Sequence, residues 1–386
     1  MITDIRKVLT AVTLAALLAL VLAGCGGGQP NDSGGGGTVG PSAGDYLWEF
    51  SLNDQNLYIA TINTASGELG TPTASGGIAC NSGGTIPSVA VTPNDKVAFV
   101  IDKCLASIHV YTMSGPGVAL TEIPESPYFV ANVLDSIAMD PSGKSLYAMG
   151  TDPGAIYQFS VSGGTGELTL NSTTMVNGDI RQVVAAPQGS FLFINDLTDG
   201  KILAYAIGSG GTPSAVSGSP FTVPSNDQPE NLAIDSGGRF LYAPVIQGGI
   251  VAFSVNGSTG ALTEIAGSPF STSDQPFTLA IAPSAKYLYS IGATSNSAID
   301  AFEIDAETGA LSVVQGSPFA APSALNSLTV DSSGSYLYAT AQVDMQANSC
   351  LYGYAIDPAT GGLTALATSP YPAPTFPVNA LSLSIP

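Results

Sequence analysis

The chain repeats one short pattern along nearly its whole length, and this repeat limits the fold more than any other feature. Each copy holds an alternating apolar segment, a turn rich in Pro, Ser and Gly, and a second apolar segment. The clearest copies are 136–150, 231–245, 278–292 and 327–341, and looser copies are 88–102 and 182–196. Copies begin at residues 88, 136, 183, 231, 278, 327 and 380, which places them 47 to 53 residues apart. A four-stranded unit that recurs every roughly 40–50 residues is typical of a β-propeller blade.

Two further strands complete each predicted blade. The third strand is clearest at 250–255 and 299–304. A Thr-Gly-x-Leu turn then leads to the fourth strand, at Thr259–Leu262, Thr308–Leu311 and Thr360–Leu363. Four copies close with Ser-Pro and an aromatic residue, at Ser219–Phe221, Ser268–Phe270, Ser317–Phe319 and Ser369–Tyr371.

The two ends of the chain together supply the seventh blade. The last copy, 379–386, has only an inner strand, and the missing strands match 46–51, 56–62 and 67–75. A blade closed in this way hides a sheet edge that would otherwise be open. The sequence therefore predicts an all-β fold, a seven-bladed β-propeller with four strands per blade, as one domain over residues 45–386. A run of separate sandwiches would need more residues per domain.

The blade consensus resembles that of the lactonase-like seven-bladed propellers, a superfamily that includes 6-phosphogluconolactonases and carboxymuconate-lactonizing enzymes. The resemblance covers residues 45–386. The consensus residues form turns and core, so they indicate an architecture more than an activity. In this family, ligands bind at the mouth of the central channel, on the face where first strands begin and second strands end.

Residues 1–24 are typical of a secretory signal, because Arg6 and Lys7 precede an apolar run, Val8–Ala23, that is short for a membrane-spanning helix. Leu22–Cys25 resembles the lipobox of bacterial lipoproteins. This predicts acylation of Cys25 and a lipid anchor in the cell envelope, at the outer membrane in a two-membrane bacterium. An ordinary signal peptide or an uncleaved anchor is the alternative. We expect residues 25–44 to be a flexible Gly-rich tether.

The charge of the chain restricts its partners. Nine Lys and Arg residues against 29 Asp and Glu residues give a net charge of −20, which repels phosphate backbones. We therefore expect no nucleic-acid partner, and a phosphorylated ligand is disfavoured. The single histidine, His109, is predicted to pack within a strand and excludes a multi-histidine metal site. We predict no metal, no cofactor and a monomer.

Residues next to the first and second strands of each blade are predicted to surround the channel mouth. The candidate ligand-binding residues are Asp135, Arg181, Asp196, Glu230, Asn326 and Asn379. Resemblance to the lactonizing enzymes makes Arg181 and Asp196 the candidate catalytic residues, because the family carries an Arg and a Glu at these places. The family's histidine is replaced by Asp135 and Ser136, and its second Arg has no counterpart in 293–299.

Two functions remain open. The first, favoured by the incomplete catalytic set, is an extracytoplasmic module that binds a protein, glycan or small molecule at the cell envelope. A scaffold at the envelope belongs to the same class. The alternative is a lactone hydrolase or lactonizing enzyme that uses the channel-mouth Arg and carboxylates. A purely structural pairing of Arg181 with Asp196 or Glu230 is a further alternative.

Three cysteines follow Cys25, so at most one pair can form among them. Cys80 and Cys104 are predicted in loops on the same face of the ring. We expect a disulfide between them and a free thiol at Cys350.

Overall fold

The protein is described by a computed structural model. It describes residues 46–51, 56–77, 88–114, 119–224, 227–292, 298–321, 325–342, 349–372 and 377–383. Within these ranges the chain forms strands and turns, and no helix has the length and apolar character needed to cross a membrane. The predicted signal peptide, the tether, Cys25 and Cys80 lie outside the described residues and stay predictions.

Seven antiparallel sheets form the seven blades, as the repeat predicts. The N-terminal strands are β1 (Tyr46–Ser51), β2 (Asn56–Thr61) and β3 (Thr73–Gly77). Blade 1 contains β4 (Val89–Val91), β5 (Val97–Asp102), β6 (Ser107–Ser114), β7 (Ala119–Glu122) and β8 (Tyr128–Phe129). Blade 2 contains β9 (Val133–Met139), β10 (Ser145–Thr151), β11 (Ala155–Val161) and β12 (Leu168–Met175). Blade 3 contains β13 (Ile180–Ala185), β14 (Phe191–Asp196), β15 (Lys201–Ile207), β16 (Pro213–Ala215) and β17 (Phe221–Thr222).

The remaining blades follow the same order from the channel outward. Blade 4 contains β18 (Ala233–Ile234), β19 (Phe240–Val245), β20 (Gly249–Val255) and β21 (Leu262–Glu264). Blade 5 contains β22 (Pro276–Ile281), β23 (Tyr287–Gly292), β24 (Ala298–Ile304), β25 (Leu311–Val313) and β26 (Phe319–Ala320). Blade 6 contains β27 (Leu325–Val330), β28 (Tyr336–Gln342), β29 (Ser349–Ile356), β30 (Leu363–Ala365) and β31 (Tyr371–Pro372).

Blade 7 is built from both ends of the chain, which confirms the predicted closure. Its strand order is β3-β2-β1-β32, where β32 is Pro377–Leu383. The C-terminal strand runs antiparallel to β1, with Trp48 opposite Leu381. The last strand of the chain is therefore the inner strand of a blade whose other strands come first in the sequence.

Buried tyrosines on the second strands of blades 2, 4, 5 and 6 join each of these blades to the next, which explains their recurrence. Their hydroxyls donate to a glycine carbonyl in the turn before the next blade's outer strand: Tyr147 to Gly211 (2.8 Å), Tyr242 to Gly309 (2.9 Å), Tyr289 to Gly361 (3.0 Å) and Tyr338 to Gly67 (2.6 Å). The turn needs glycine: Gly67 has φ of 71°, and a Cβ there would lie 2.3 Å from the Tyr336 ring.

The serine of each closing Ser-Pro motif also has a structural role. Ser219 Oγ accepts a hydrogen bond of 2.9 Å from the Ala204 amide on the third strand of blade 3. The same contact recurs at Ser126, Ser268, Ser317 and Ser369. These serines hold the final segment of a blade against its third strand, so the Ser-Pro motif stabilises the blade.

Candidate functional site

A cavity of about 570 Å³ occupies the central channel. Its walls come from the start of the inner strands of blades 1 to 4, from nearly the whole inner strands of blades 5 and 6, and from one turn of blade 1. The charged and amide residues that line it are Lys103, Asp135, Arg181, Gln182, Glu230, Asn231 and Asn326. Blades 5 and 6 contribute an uncharged wall that includes Phe277, Leu279 and Leu328. The charged groups of the cavity thus lie on one side of the ring, on blades 1 to 4.

Polar side chains on the inner strands fix neighbouring blades at the cavity. Ser88 Oγ accepts from the Ile137 amide (3.1 Å) and Ser136 Oγ from the Val183 amide (3.2 Å). Gln182 binds both backbone groups of Leu232, accepting from its amide at 2.5 Å and donating to its carbonyl at 3.4 Å. These bonds couple blades 1 to 4, which carry the charged residues.

Arg181 is held mainly by Asp179. Its Nε and Nη2 donate to the two carboxylate oxygens of Asp179, at 2.8 and 3.2 Å. Its Nη1 lies 3.6 Å from Asp135 Oδ2. The hydrogen bond to Asp179 raises the pKa of Arg181, against a smaller opposing effect of burial. The guanidinium therefore stays charged, and one edge of it remains available to a ligand.

Lys103 is a cavity residue that the sequence analysis did not single out. Its Nζ lies 2.6 Å from Asp135 Oδ1, and both side chains are largely buried. Asp102 Oδ1 fixes the turn by accepting from the amides of Cys104 (2.8 Å) and Leu105 (3.0 Å). One feature of the sequence does indicate this position. Lys103 is one of the few cations of the chain and directly follows Asp102, in a loop predicted to lie on the face of the channel mouth.

Glu230 is the cavity carboxylate that is left without an ion pair among the residues that the structure describes. Burial raises the pKa of Glu230, Arg181 opposes this rise, and Asp227 adds to it. A carboxyl group whose pKa is moved toward neutrality is suited to general acid–base catalysis.

Asn195, which was not among the site residues predicted from the sequence, fixes Arg181 and Glu230 relative to each other. This fully buried side chain accepts from the amides of Arg181 (3.3 Å) and Gln182 (2.6 Å). Its Nδ2 donates to the carbonyl of Pro229 (2.8 Å), the residue before Glu230. An asparagine beside the candidate Asp196 was visible in the sequence, but its partners lie in two blades.

The predicted pairing of Arg181 with Asp196 is wrong. Asp196 is buried and is not among the residues that line the cavity. Its Oδ1 accepts from the amides of Asp179 (3.2 Å) and Asp199 (3.3 Å), so it stabilises two loops. Arg181 binds Asp179 instead, because that residue lies only two positions earlier on the same loop.

Four of the predicted site residues line the cavity, and Asn379 cannot be placed by its side chain. Asp135, Arg181, Glu230 and Asn326 line the cavity, while their role in binding stays a prediction. Asn379 lies in β32 opposite Phe50 of β1, and its side chain lies outside the described part of the structure. Across the described ranges, no group of three or more His, Cys, Asp or Glu residues is arranged to hold a metal ion.

His109 is buried in β6, as its position in the sequence predicted. Its Nδ1 lies 2.7 Å from Glu122 Oε1, and its Nε2 lies 3.9 Å from Asp102 Oδ2. The histidine thus lies between two carboxylates in blade 1. It is not among the residues that line the central cavity.

Cys104 and Cys350 are both disulfide-bonded. The expectation of a free thiol at Cys350 is therefore wrong. Because Cys80 lies outside the described residues, its pairing with Cys104 stays a prediction.

Comparison with known proteins agrees with the fold. Residues 212–326 match the family described as Lactonase, 7-bladed beta-propeller. The predicted resemblance to lactonase-like propellers is confirmed. No curated protein matches the chain.

Solved structures with this lactonase-like fold are similar over most of the chain. A proposed 6-phosphogluconolactonase from Bacteroides fragilis is 18% identical, with a TM-score of 0.70 over 89% of this chain and 99% of that one. A second, from Bacteroides uniformis, is 18% identical, with a TM-score of 0.71 over 89% and 100%. The periplasmic gluconolactonase of Pseudomonas aeruginosa is 17% identical, with a TM-score of 0.68 over 89% and 99%. At such identities the likeness shows the fold alone.

Proposed function

We propose that this lactonase-like propeller is a lactone hydrolase whose reaction takes place in the central cavity. The observation that carries the proposal is Glu230, a partly buried carboxylate with a raised pKa, without an ion pair among the described residues. It shares the cavity with two cations, Lys103 and Arg181. The neighbours described as 6-phosphogluconolactonases and a gluconolactonase support the same reaction class.

Each cavity residue has a role in this reaction that its chemistry allows. Glu230 as carboxylate accepts a proton from water, and the water oxygen attacks the lactone carbonyl carbon. Negative charge then develops on the carbonyl oxygen, where Arg181 Nη1 and Lys103 can donate hydrogen bonds. The ring C–O bond breaks, and its oxygen takes the proton from Glu230. The product is the open hydroxy acid.

The central experiment replaces Glu230 with glutamine, which keeps the shape and removes the base. We expect Glu230→Gln to lower kcat at least 100-fold on any lactone that the wild type hydrolyses, at unchanged melting temperature. Because burial raises the pKa of Glu230, activity should fall with decreasing pH at a value above the ordinary 4.5 of a glutamate. Hydrolysis is measured in a pH-stat over a panel of sugar and alkyl lactones.

The matched control is Glu264→Gln, which changes an exposed glutamate on the outer strand of the same blade. It should leave activity and its pH profile unchanged. Full activity in Glu230→Gln would contradict the assignment. A wild type that binds lactones, seen as a rise in melting temperature, but hydrolyses none would favour the binding module at the envelope.

A further inference from the structure

Large hydrophobic side chains are exposed on the face of the ring at which the cavity opens. Six such residues are strongly exposed within the described part of the chain, and four of them lie at one end of blades 1 and 2. We call these four the apolar rim: Leu105, Phe129, Val133 and Met175. The other two, on outer strands, lie nearer the opposite end of their blades: Leu170 is opposite Phe159 in blade 2, and Val313 is opposite Phe302 in blade 5.

Strand register places the rim residues at the same end of the two blades. Leu105 lies in the turn between β5 and β6, and Phe129 is opposite Ser107, where β6 begins. The Val130 amide donates to the Ala106 carbonyl at 2.9 Å, which holds this segment on the turn. In blade 2, Val133 is opposite Thr151, and Met175 is opposite Ala155, at the two sides of one turn.

Two rim residues, Leu105 and Val133, lie close in sequence to charged residues of the cavity. Leu105 lies two residues after Lys103 in the same turn, and Val133 lies two residues before Asp135. Lys103 and Asp135 both line the cavity and are joined at 2.6 Å. A molecule bound at this ion pair therefore has Leu105 and Val133 nearest to it, with Phe129 and Met175 farther out on the same face of the ring.

The charges at the mouth favour a neutral polar head on that molecule. The two cations, Lys103 and Arg181, are matched by Asp135, Asp179 and Glu230, so no positive charge is in excess. A phosphate or sulfate group would need such an excess. A lactone carbonyl needs only hydrogen-bond donors, which both cations can supply.

We propose that the ligand is an amphipathic lactone, whose ring enters the cavity and whose alkyl or acyl chain lies on the apolar rim. This rests on the proposed lactone hydrolysis for the placement of the ring. Exposed apolar side chains next to a polar cavity lower the free energy of a bound chain by removing its surface from water. Each methylene group buried in this way improves binding about fourfold.

Two lactones with the same ring and different chains test the proposal. In a pH-stat, kcat/KM should be at least tenfold higher for γ-dodecalactone than for γ-butyrolactone. The double variant Leu105→Ser/Phe129→Ser should lose this preference through a higher KM for γ-dodecalactone, with kcat unchanged. Its activity on γ-butyrolactone should equal that of the wild type. The control Leu170→Ser/Val313→Ser, of similar exposure on outer strands, should keep the preference.

A binding measurement tests the ligand class separately from the proposed lactone hydrolysis. The lactam 5-octyl-2-pyrrolidinone, which resists hydrolysis, should bind the wild type and the control equally in calorimetry, and the rim variant at least tenfold more weakly. If no lactone is hydrolysed but the lactam affinities differ in this way, the proposal of lactone hydrolysis fails, and the proposal of an amphipathic lactone as ligand is retained. Equal kcat/KM for both lactones, or equal lactam binding by rim variant and wild type, would overturn the rim as a binding site.

Discussion

Single residues at the mouth depend on buried neighbours for their position. Glu230 and Arg181 belong to neighbouring blades, and Asn195 connects the two by hydrogen bonds to both loops. Asn195 is fully buried, so its removal leaves backbone groups without partners in a region closed to water. The geometry of the candidate site therefore depends on a residue that does not line it.

We predict that Asn195→Ala lowers the free energy of unfolding by about 2–3 kcal/mol. Because the loops of Arg181 and Glu230 lose their connection, KM for a hydrolysed lactone should also rise several-fold. Denaturant unfolding and steady-state kinetics measure the two effects. Asn256→Ala is the control, since Asn256 accepts two amides in an exposed turn of blade 4. A variant of Asn195 that loses stability at unchanged KM would leave it a purely structural residue.

At the scale of the element, neighbouring blades are joined by one repeated polar contact. The tyrosine on a second strand donates to a glycine carbonyl in the next blade in four instances. Blades 1 and 3 carry Phe99 and Phe193 at the equivalent position, which fill the same space without a hydroxyl. The contact thus stabilises the ring at some interfaces, while packing alone is sufficient at others.

The contact of Tyr338 with Gly67 is the informative one, because it joins blade 6 to the N-terminal strands. We predict that Tyr338→Phe lowers the free energy of unfolding by about 1–2 kcal/mol, since a buried carbonyl loses its donor. Tyr128→Phe, at a tyrosine that is only partly buried, should cost much less. Thermal unfolding followed by circular dichroism compares the two. Equal melting temperatures for both variants would show that the hydroxyl adds nothing to closure.

At the scale of the whole molecule, the ring is closed by a single strand. β32 pairs with β1 along most of its length, and among the strands of the described ranges no other one covers that edge of blade 7. Without it, β1 would present an unpaired edge toward the channel. Closure of the propeller therefore depends on the last residues of the chain.

Deletion of residues 380–386 should abolish the cooperative thermal transition or cause aggregation. Removing residues 26–44 instead should leave the melting temperature unchanged. Calorimetry and size-exclusion chromatography distinguish these outcomes. A soluble truncated chain that melts like the wild type would be inconsistent with closure by β32.

The sequence by itself determined the number of blades, the strand order and the mixed seventh blade. It could do so because strand alternation and turn residues are local and recur at nearly the same spacing. It also placed Asp135, Arg181, Glu230 and Asn326 around one cavity, since register alone gives the ends of the inner strands.

Only the tertiary structure decided the partners of these residues. Arg181 binds Asp179 rather than Asp196, Lys103 of blade 1 reaches Asp135 of blade 2, and Asn195 joins two loops. These contacts depend on loop conformation and on the packing of neighbouring blades, which join residues with no periodic relation in sequence.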